Sequence, residues 1–301
     1  MVKKIAVLLV TLVALFWAIN FYAGKIAVEH LHPLIVATIR FVLASVFIVP
    51  ILLCLEPNLK ETIRRHLFIY ILLGFIGVAA FNSLFFEGLK YTSPVNAALV
   101  MATNPVVTML LAAIILKDRI RLNHQIGMLL SLIGVVIVVT HGSLGILLRL
   151  EVAVGDVIMM AANLCWALYS VLVRRYLKES KPLVTTAATI VFGSLILMVC
   201  SFHKFSYTQL INQSIETYSA LIFMATFGSA LAYLFWNYGI EKLGPGNTSL
   251  FFNLIPVFTV FIAVLIGQPL MLSAVLGGSL VIIGVLISAG FIKWPLKNTR
   301  Y

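Results

Sequence analysis

The sequence predicts an all-α polytopic membrane protein whose ten transmembrane helices form two inverted five-helix repeats. Three observations carry that prediction. With 62% apolar and 10% charged residues among 301, the chain has too little polar surface to coat a water-soluble globule. Apolar runs of the roughly 20 residues needed to cross a bilayer recur from end to end, with no polar block long enough for a soluble domain. The second half, 151–301, also repeats motifs of the first, 1–150, in the same order.

Taken in order, the spans are 5–24, 34–54, 67–88, 94–116, 122–141, 155–175, 184–202, 217–240, 246–267 and 273–292. The first follows Lys3-Lys4 as a secretory signal would, but no small-x-small cleavage site ends its apolar run, so it reads as a span. The second holds Arg40, about 9 Å into the membrane from Leu34 at ~1.5 Å per residue, where an unpaired guanidinium costs ~2.5 kcal/mol or more. Glu87, near the end of the third, lies at a comparable level. Either the two pair, or Arg40 contacts a substrate carboxylate, or Arg40 snorkels to headgroups while Glu87 sits in water. Pro94 and Pro245 fall in the first turns of the fourth and ninth helices, where no N–H is required; Ser93 is a candidate N-cap, and Asn96 and Asn247 are placed to bond back to the preceding chain. Pro105 and Pro256 differ, because near a helix centre each removes a backbone hydrogen bond and displaces a carbonyl, here those of Met101 and Phe252. Asn104 and Asn253, beside these kinks, are placed to satisfy the freed backbone or to reach a ligand. Asp156 reads as a helix N-terminal anion. Gly127, Ser131 and Gly134 in the fifth span, and Gly277, Gly284 and Ser288 in the tenth, permit close backbone approach, between those two helices or in a dimer. Cys54, Cys165 and Cys200, odd in number and without metal spacing, read as buried inert thiols.

The net charge of +11 does not mark a nucleic-acid binder, because no basic run is interleaved with aromatics. It marks orientation instead. With the N-terminus inside, inner segments hold sixteen of the 21 Lys and Arg: Lys3, Lys4, Lys60, Arg64, Arg65, Lys117, Arg119, Arg121, Arg174, Arg175, Lys178, Lys181, Lys242, Lys293, Lys297 and Arg300. Outer segments hold Lys25, Lys90, Arg149 and Lys204. The expectation is a multi-pass protein of the bacterial inner membrane with both termini cytoplasmic.

The repeat is specific. Gly88, Pro94, Asn96, Pro105 and Thr108 recur as Gly239, Pro245, Asn247, Pro256 and Thr259, all at an offset of 151. Trp17-Ala18 recurs as Trp166-Ala167 at 149, and Gly127 and Gly134 as Gly277 and Gly284 at 150. A five-helix unit is odd in number, so its second copy enters from the opposite face, and such inverted halves can open one site alternately to each side. That points to a secondary transporter of a small metabolite, with its site between the halves. Candidate lining residues are Trp17 and Asn20 in the first span, Asn82 in the third, Asn104 in the fourth, and Asn163, Trp166 and Tyr169 in the sixth, with Tyr233 and Asn237 in the eighth and Asn253 in the ninth. An indole beside a carboxamide on one helix face offers an apolar wall with a hydrogen-bonding group, as an amphipathic solute requires; the alternatives are an aromatic belt and interhelical glue. No paired His/Glu metal spacing or phosphate-binding glycine loop points to an enzyme, and no metal or cofactor is expected.

In this order and spacing, Trp17-Ala18, Pro33 to Arg40-Phe41, Leu89-Lys90-Tyr91-Thr92, Asn104-Pro105, Gly155-Asp156 through Trp166-Ala167 to Tyr169, and Pro256 resemble the EamA type of the drug/metabolite transporter superfamily over essentially the whole chain. The resemblance implies ten helices, a cavity bounded mainly by helices 1, 3, 4, 6, 8 and 9, and export or uptake of amino acids and similar metabolites. Where members often carry Glu after the fourth and ninth spans, this chain has Lys117-Asp118 and Gly267-Gln268. Proton coupling stays open, as does monomer against homodimer; a passive channel-like carrier and a non-transporting sensor or assembly protein are the other readings.

Overall fold

A computed structural model describes residues 2–57, 59–92, 94–118, 122–149, 153–205 and 212–292. Ser93, Arg119, Arg121, Lys293, Lys297 and Arg300, named above, lie outside them. Among the described residues there are nine helices long and apolar enough to cross a membrane, and a shorter apolar one, Leu272–Ser288. In chain order they are α1 (Val2–His30), α2 (Pro33–Leu55), α3 (Leu59–Lys90), α4 (Asn96–Ile115), α5 (Leu122–Val139), α6 (Val154–Tyr176), α7 (Pro182–Lys204), α8 (Ile215–Leu243), α9 (Pro245–Leu265) and α10 (Leu272–Ser288). The outer surface carries bare apolar side chains such as Phe68, Ile114, Val199 and Leu265, at 73%, 74%, 78% and 70% exposure, which is stable only against lipid.

Each predicted span falls on one of these helices, though the edges differ, most in α1 (predicted 5–24) and α3 (predicted 67–88), which run longer, and in α10 (predicted 273–292), which ends earlier; the irregularities within helices have local causes. In α3, His66 leaves helical geometry (φ −124°), which separates the basic turn at Arg64 and Arg65 from the apolar span predicted to begin at 67. α4 breaks at Thr103, and Pro105 lies in the first turn of the segment Asn104–Ile115. α9 passes through a 3₁₀ stretch, Leu250–Asn253, just before Pro256. Both prolines therefore mark true interruptions, with the donor-free nitrogen placed where a new helix starts. Neither π turn, Phe75–Ala80 in α3 nor Thr226–Leu231 in α8, was expected from the sequence. They occupy positions 151 residues apart.

Packing follows the small residues. α5 lies along α10 with Gly127 against the Gly284 carbonyl and Gly134 against that of Gly277, where an added Cβ at Gly134 would stand 2.5 Å from the carbonyl oxygen. The stripe thus serves contact within one chain. Partners recur across the halves: α2 packs on α7, α3 on α6 as α8 does on α1, and α4 on α6 as α9 does on α1. The cysteines correct their expectation, since Cys54 and Cys200 are exposed and Cys165 is only partly covered. Cys54 and Cys200 lie on outward faces of α2 and α7 rather than inward.

Candidate functional site

A π turn spaces its backbone bonds at i to i+5 and leaves carbonyls available to other groups. Two such carbonyls, from Gly77 and Gly228, organise the centre. The Gly77 carbonyl accepts a hydrogen bond from the Tyr233 hydroxyl at 2.9 Å. The Gly228 carbonyl accepts from Trp17 Nε1 at 3.1 Å and from Arg40 Nη2 at 2.8 Å. Asn20, one turn beyond Trp17, lies so close that a Cβ on Gly228 would stand 2.9 Å from its Cγ; glycine is needed there for space.

Aromatic rings close the middle of the bundle. Trp17 packs on Trp166, Trp236 and Phe252 at centroid distances of 5.3, 5.2 and 5.4 Å. Trp166 in turn meets Phe81 at 5.0 Å, Tyr233 at 5.2 Å and Tyr169 at 5.4 Å. The cluster draws on α1, α3, α6, α8 and α9. Trp166 is 1% exposed, and its Nε1 has no hydrogen-bond partner; Asn20 Oδ1 is likewise buried and unpartnered. An unmet buried polar atom costs about 1–3 kcal/mol, so each is a group that a ligand would satisfy. A cavity reaching Asn237, between α6, α7 and α8, holds about 10 Å³, room for roughly one water. That cavity lies toward the end of α6 and α8 that carries Arg174 and Glu241; at the centre itself Trp166, Tyr169, Tyr233 and Trp236 are each at most 1% exposed.

The remaining predicted residues fall into four pairs. Asn104 and Asn163 meet: Asn104 Nδ2 donates to Asn163 Oδ1 at 2.5 Å, while Asn163 Nδ2 donates to the Val100 carbonyl and to Thr103 Oγ1, both at 2.9 Å. Asn163 thereby splints the break of α4. Tyr169 and Asn237 exchange bonds at 2.9 and 3.2 Å, and Asn237 also donates to Thr186 Oγ1 at 2.8 Å. Asn82 bonds its own helix at the Val78 carbonyl, and Asn253 donates to Ser131 Oγ on α5 at 2.9 Å with its Oδ1 unpartnered. Arg40 and Glu87 do not pair. Arg40, 5% exposed, donates from Nε to Ser229 Oγ at 2.5 Å and lies over the Phe41 ring at 5.0 Å, whereas Glu87 pairs with Lys90 at 2.6 Å. Arg40 found its partners in the α8 π turn, which no residue-type pattern announces, and its burial excludes snorkelling. Trp236, absent from the sequence-derived set, donates to Ser170 Oγ at 3.1 Å. Its spacing of three from Tyr233, on the face already singled out in α8, was the available signal.

Apolar helices of spanning length packed around a buried aromatic centre make this a multi-pass membrane protein. The profile of the EamA-like transporter family matches residues 4–140 and again 153–290, and the chain belongs to that family. It is 43% identical to "Uncharacterized transporter YyaM" of Bacillus subtilis, across 95% of this chain and 94% of that protein. It is 26% identical to the "Probable amino-acid metabolite efflux pump" of Salmonella typhimurium, across 93% of this chain and 91% of that one. A solved crystal structure, 18% identical, shares the fold with a TM-score of 0.78 over 95% of this chain and 96% of its own. These families and names are those of transporters and not of enzymes.

Proposed function

We propose that the protein is a secondary transporter that exports an amino acid or similar amphipathic metabolite across the bacterial inner membrane by alternating access, with both termini cytoplasmic. The observation that carries the reading is the contact of Trp17 with Trp166, Trp236 and the Gly228 carbonyl, which joins the first half to the second at the bundle centre. Two matches of one family profile, with interruptions at corresponding places in α4 and α9, support two inverted five-helix units, 1–150 and 151–301. Export as the direction rests on the name of the Salmonella relative.

Substrate lining is assigned to Trp17, Asn20, Trp166 and Trp236, while Asn163 and Asn104 hold the α4 break. Counterflow in proteoliposomes against a panel of amino acids tests this. Trp17→Ala and Asn20→Ala should raise the half-saturation concentration or change which solutes compete, with folded yield retained. Unchanged affinity and selectivity in both would remove the site from the centre. A passive carrier is the second reading, favoured by Arg40 having no salt bridge among the described residues and by Glu87 lying at the helix end with Lys90, so that no described carboxylate is placed to carry a proton through the centre. Flux unaffected by a pH gradient would select it.

A further inference from the structure

A guanidinium sealed in a membrane protein is normally neutralised, because transfer of a lone charge out of water is costly. Arg40 is 5% exposed, and its described hydrogen bonds go to neutral dipoles, the Ser229 hydroxyl and the Gly228 carbonyl. Those bonds occupy Nε and Nη2; an arginine has five N–H donors, and Nη1 has no described hydrogen bond. Among the described residues the cation therefore has donors left over and no countercharge. Two further features point to the same spot. Trp17 Nε1 shares the Gly228 carbonyl with Arg40, which brings the aromatic wall to the guanidinium. Asn20 Oδ1, buried and without a partner, also lies against Gly228.

We propose that Arg40 is the anion-holding residue of the central site, receiving the carboxylate of an amphipathic substrate whose apolar body rests on Trp17 and its ring neighbours, while Asn20 Oδ1 accepts an N–H or O–H of the same molecule. The proposal rests on the central site being the transport site, and adds the charge class of what enters it. An uncompensated positive charge in a low-dielectric surround attracts an anion and repels a cation of the same shape. When a carboxylate docks, one Nη1 proton and the second Nη2 proton supply the planar, paired geometry that arginine offers and lysine does not.

The test holds the body constant and changes only the head: phenylacetate, 2-phenylethanol and phenethylamine, titrated calorimetrically at neutral pH into the purified full-length chain in nanodiscs of zwitterionic lipid. Phenylacetate should bind at least about tenfold more tightly than the alcohol, with the amine weakest. Arg40→Gln should bring phenylacetate and 2-phenylethanol to equal affinity, and Arg40→Lys should keep the order with a smaller gap. Should Arg40→Gln fail to fold, the order in the unmodified protein decides alone. Equal binding of anion and alcohol, tighter binding of the amine, or no binding of any probe overturns the proposal. Failure of the wider reading has a separate signature: if Trp17→Ala leaves counterflow affinity unchanged, the site is not central, whatever the probe order. If Trp17→Ala weakens the alcohol and the anion alike and the two were equal to begin with, the pocket stands and the anion assignment falls.

Discussion

At the end of the bundle where α6 begins, Asp156 gathers three donors: the Ala153 N–H at 2.8 Å, Asn96 Nδ2 at 2.9 Å and the Thr92 hydroxyl. One carboxylate thus ties the start of α6 to the exit of α3 and the start of α4. At the end where α1 begins, the positions matched by the 149–151 residue offsets are Val7 for Asp156, Leu243 for Thr92 and Asn247 for Asn96. There Asn247 Nδ2 bonds only the Leu243 carbonyl at 2.9 Å, its Oδ1 is buried without a partner, and Val10 fills the space against Gly239. Corresponding corners of one fold are therefore held by unlike forces, a charge-assisted knot at one end and apolar contact at the other. The backbone arrangement tolerates either, so what distinguishes the ends is side-chain chemistry, and opening the two should not cost the same.

The sharpest break of this comparison is at Gly155 and its counterpart Ala6. A Cβ on Gly155 would stand 2.6 Å from both the Gly88 carbonyl oxygen and the Thr92 nitrogen, which are backbone atoms with no rotamer to yield. Gly155→Ala should cost about 1–3 kcal/mol or more and pull Asp156 off its donors, while Ala6→Gly should cost the ~1 kcal/mol of helix propensity and about 0.8 kcal/mol for the buried methyl, without disturbing neighbouring backbone. Thermal unfolding in detergent reads both. Equal losses would mean that the two corners are packed alike after all.

A smaller effect is expected from Asp156→Asn, which keeps the shape and removes the charge. Hydrogen bonds to a charged acceptor are stronger than neutral ones, so a loss of about 1–2 kcal/mol should follow, with amide exchange rising at the starts of α4 and α6. Asn247→Ala, the matching change at the other end, should cost under about 1 kcal/mol, because one neutral bond is lost while an unpartnered buried oxygen is removed with it. A larger loss at Asn247 than at Asp156 would reverse the assignment of strong and weak ends.

The same contrast separates what the sequence made legible from what it hid. Hydropathy placed every described span, and proline placed the breaks of α4 and α9, because both signals are properties of residue types. Asp156 was legible as a helix N-terminal anion, and Asn247 as a residue bonding back to the chain before it. The π turns were not, since Phe75–Ala80 and Thr226–Leu231 carry no distinctive composition. Their carbonyls are the partners of Arg40, Trp17 and Tyr233, so an acceptor belonging to the backbone stayed invisible while Glu87, an acceptor with a side chain, drew attention instead. The bond from Asn163 to Thr103 was equally hidden, because the break it meets exists only once α4 and α6 are packed.

The smallest expected effect is a pH dependence, again confined to one end. His32 is the N-cap of α2, with Nδ1 accepting from the Leu34 N–H at 3.2 Å, and its counterpart before α7, Lys181, has no acceptor to offer and instead pairs with Glu56 at 2.9 Å. Partial burial first, and then the positive charge of Lys204, whose Nζ is 3.3 Å from Nε2, push the imidazole below its ordinary value of 6.5; Lys90 and His203 act in the same direction and Glu87 against them. Protonation at Nδ1 would remove the cap and add a cation beside a cation. Because the folded form binds the proton less readily than the unfolded one, the contribution to stability is full above about pH 6.5 and is lost as pH falls from there through the folded value. His32→Asn keeps a capping oxygen that does not titrate in this range. Melting temperatures of the two proteins should therefore coincide at pH 8 and diverge at pH 5, with the variant the more stable, whereas Lys181→Asn should leave the acid slope of the parent unchanged. Parallel slopes for His32→Asn and the parent would show that the cap at this end is no more sensitive to protons than the salt bridge at the other.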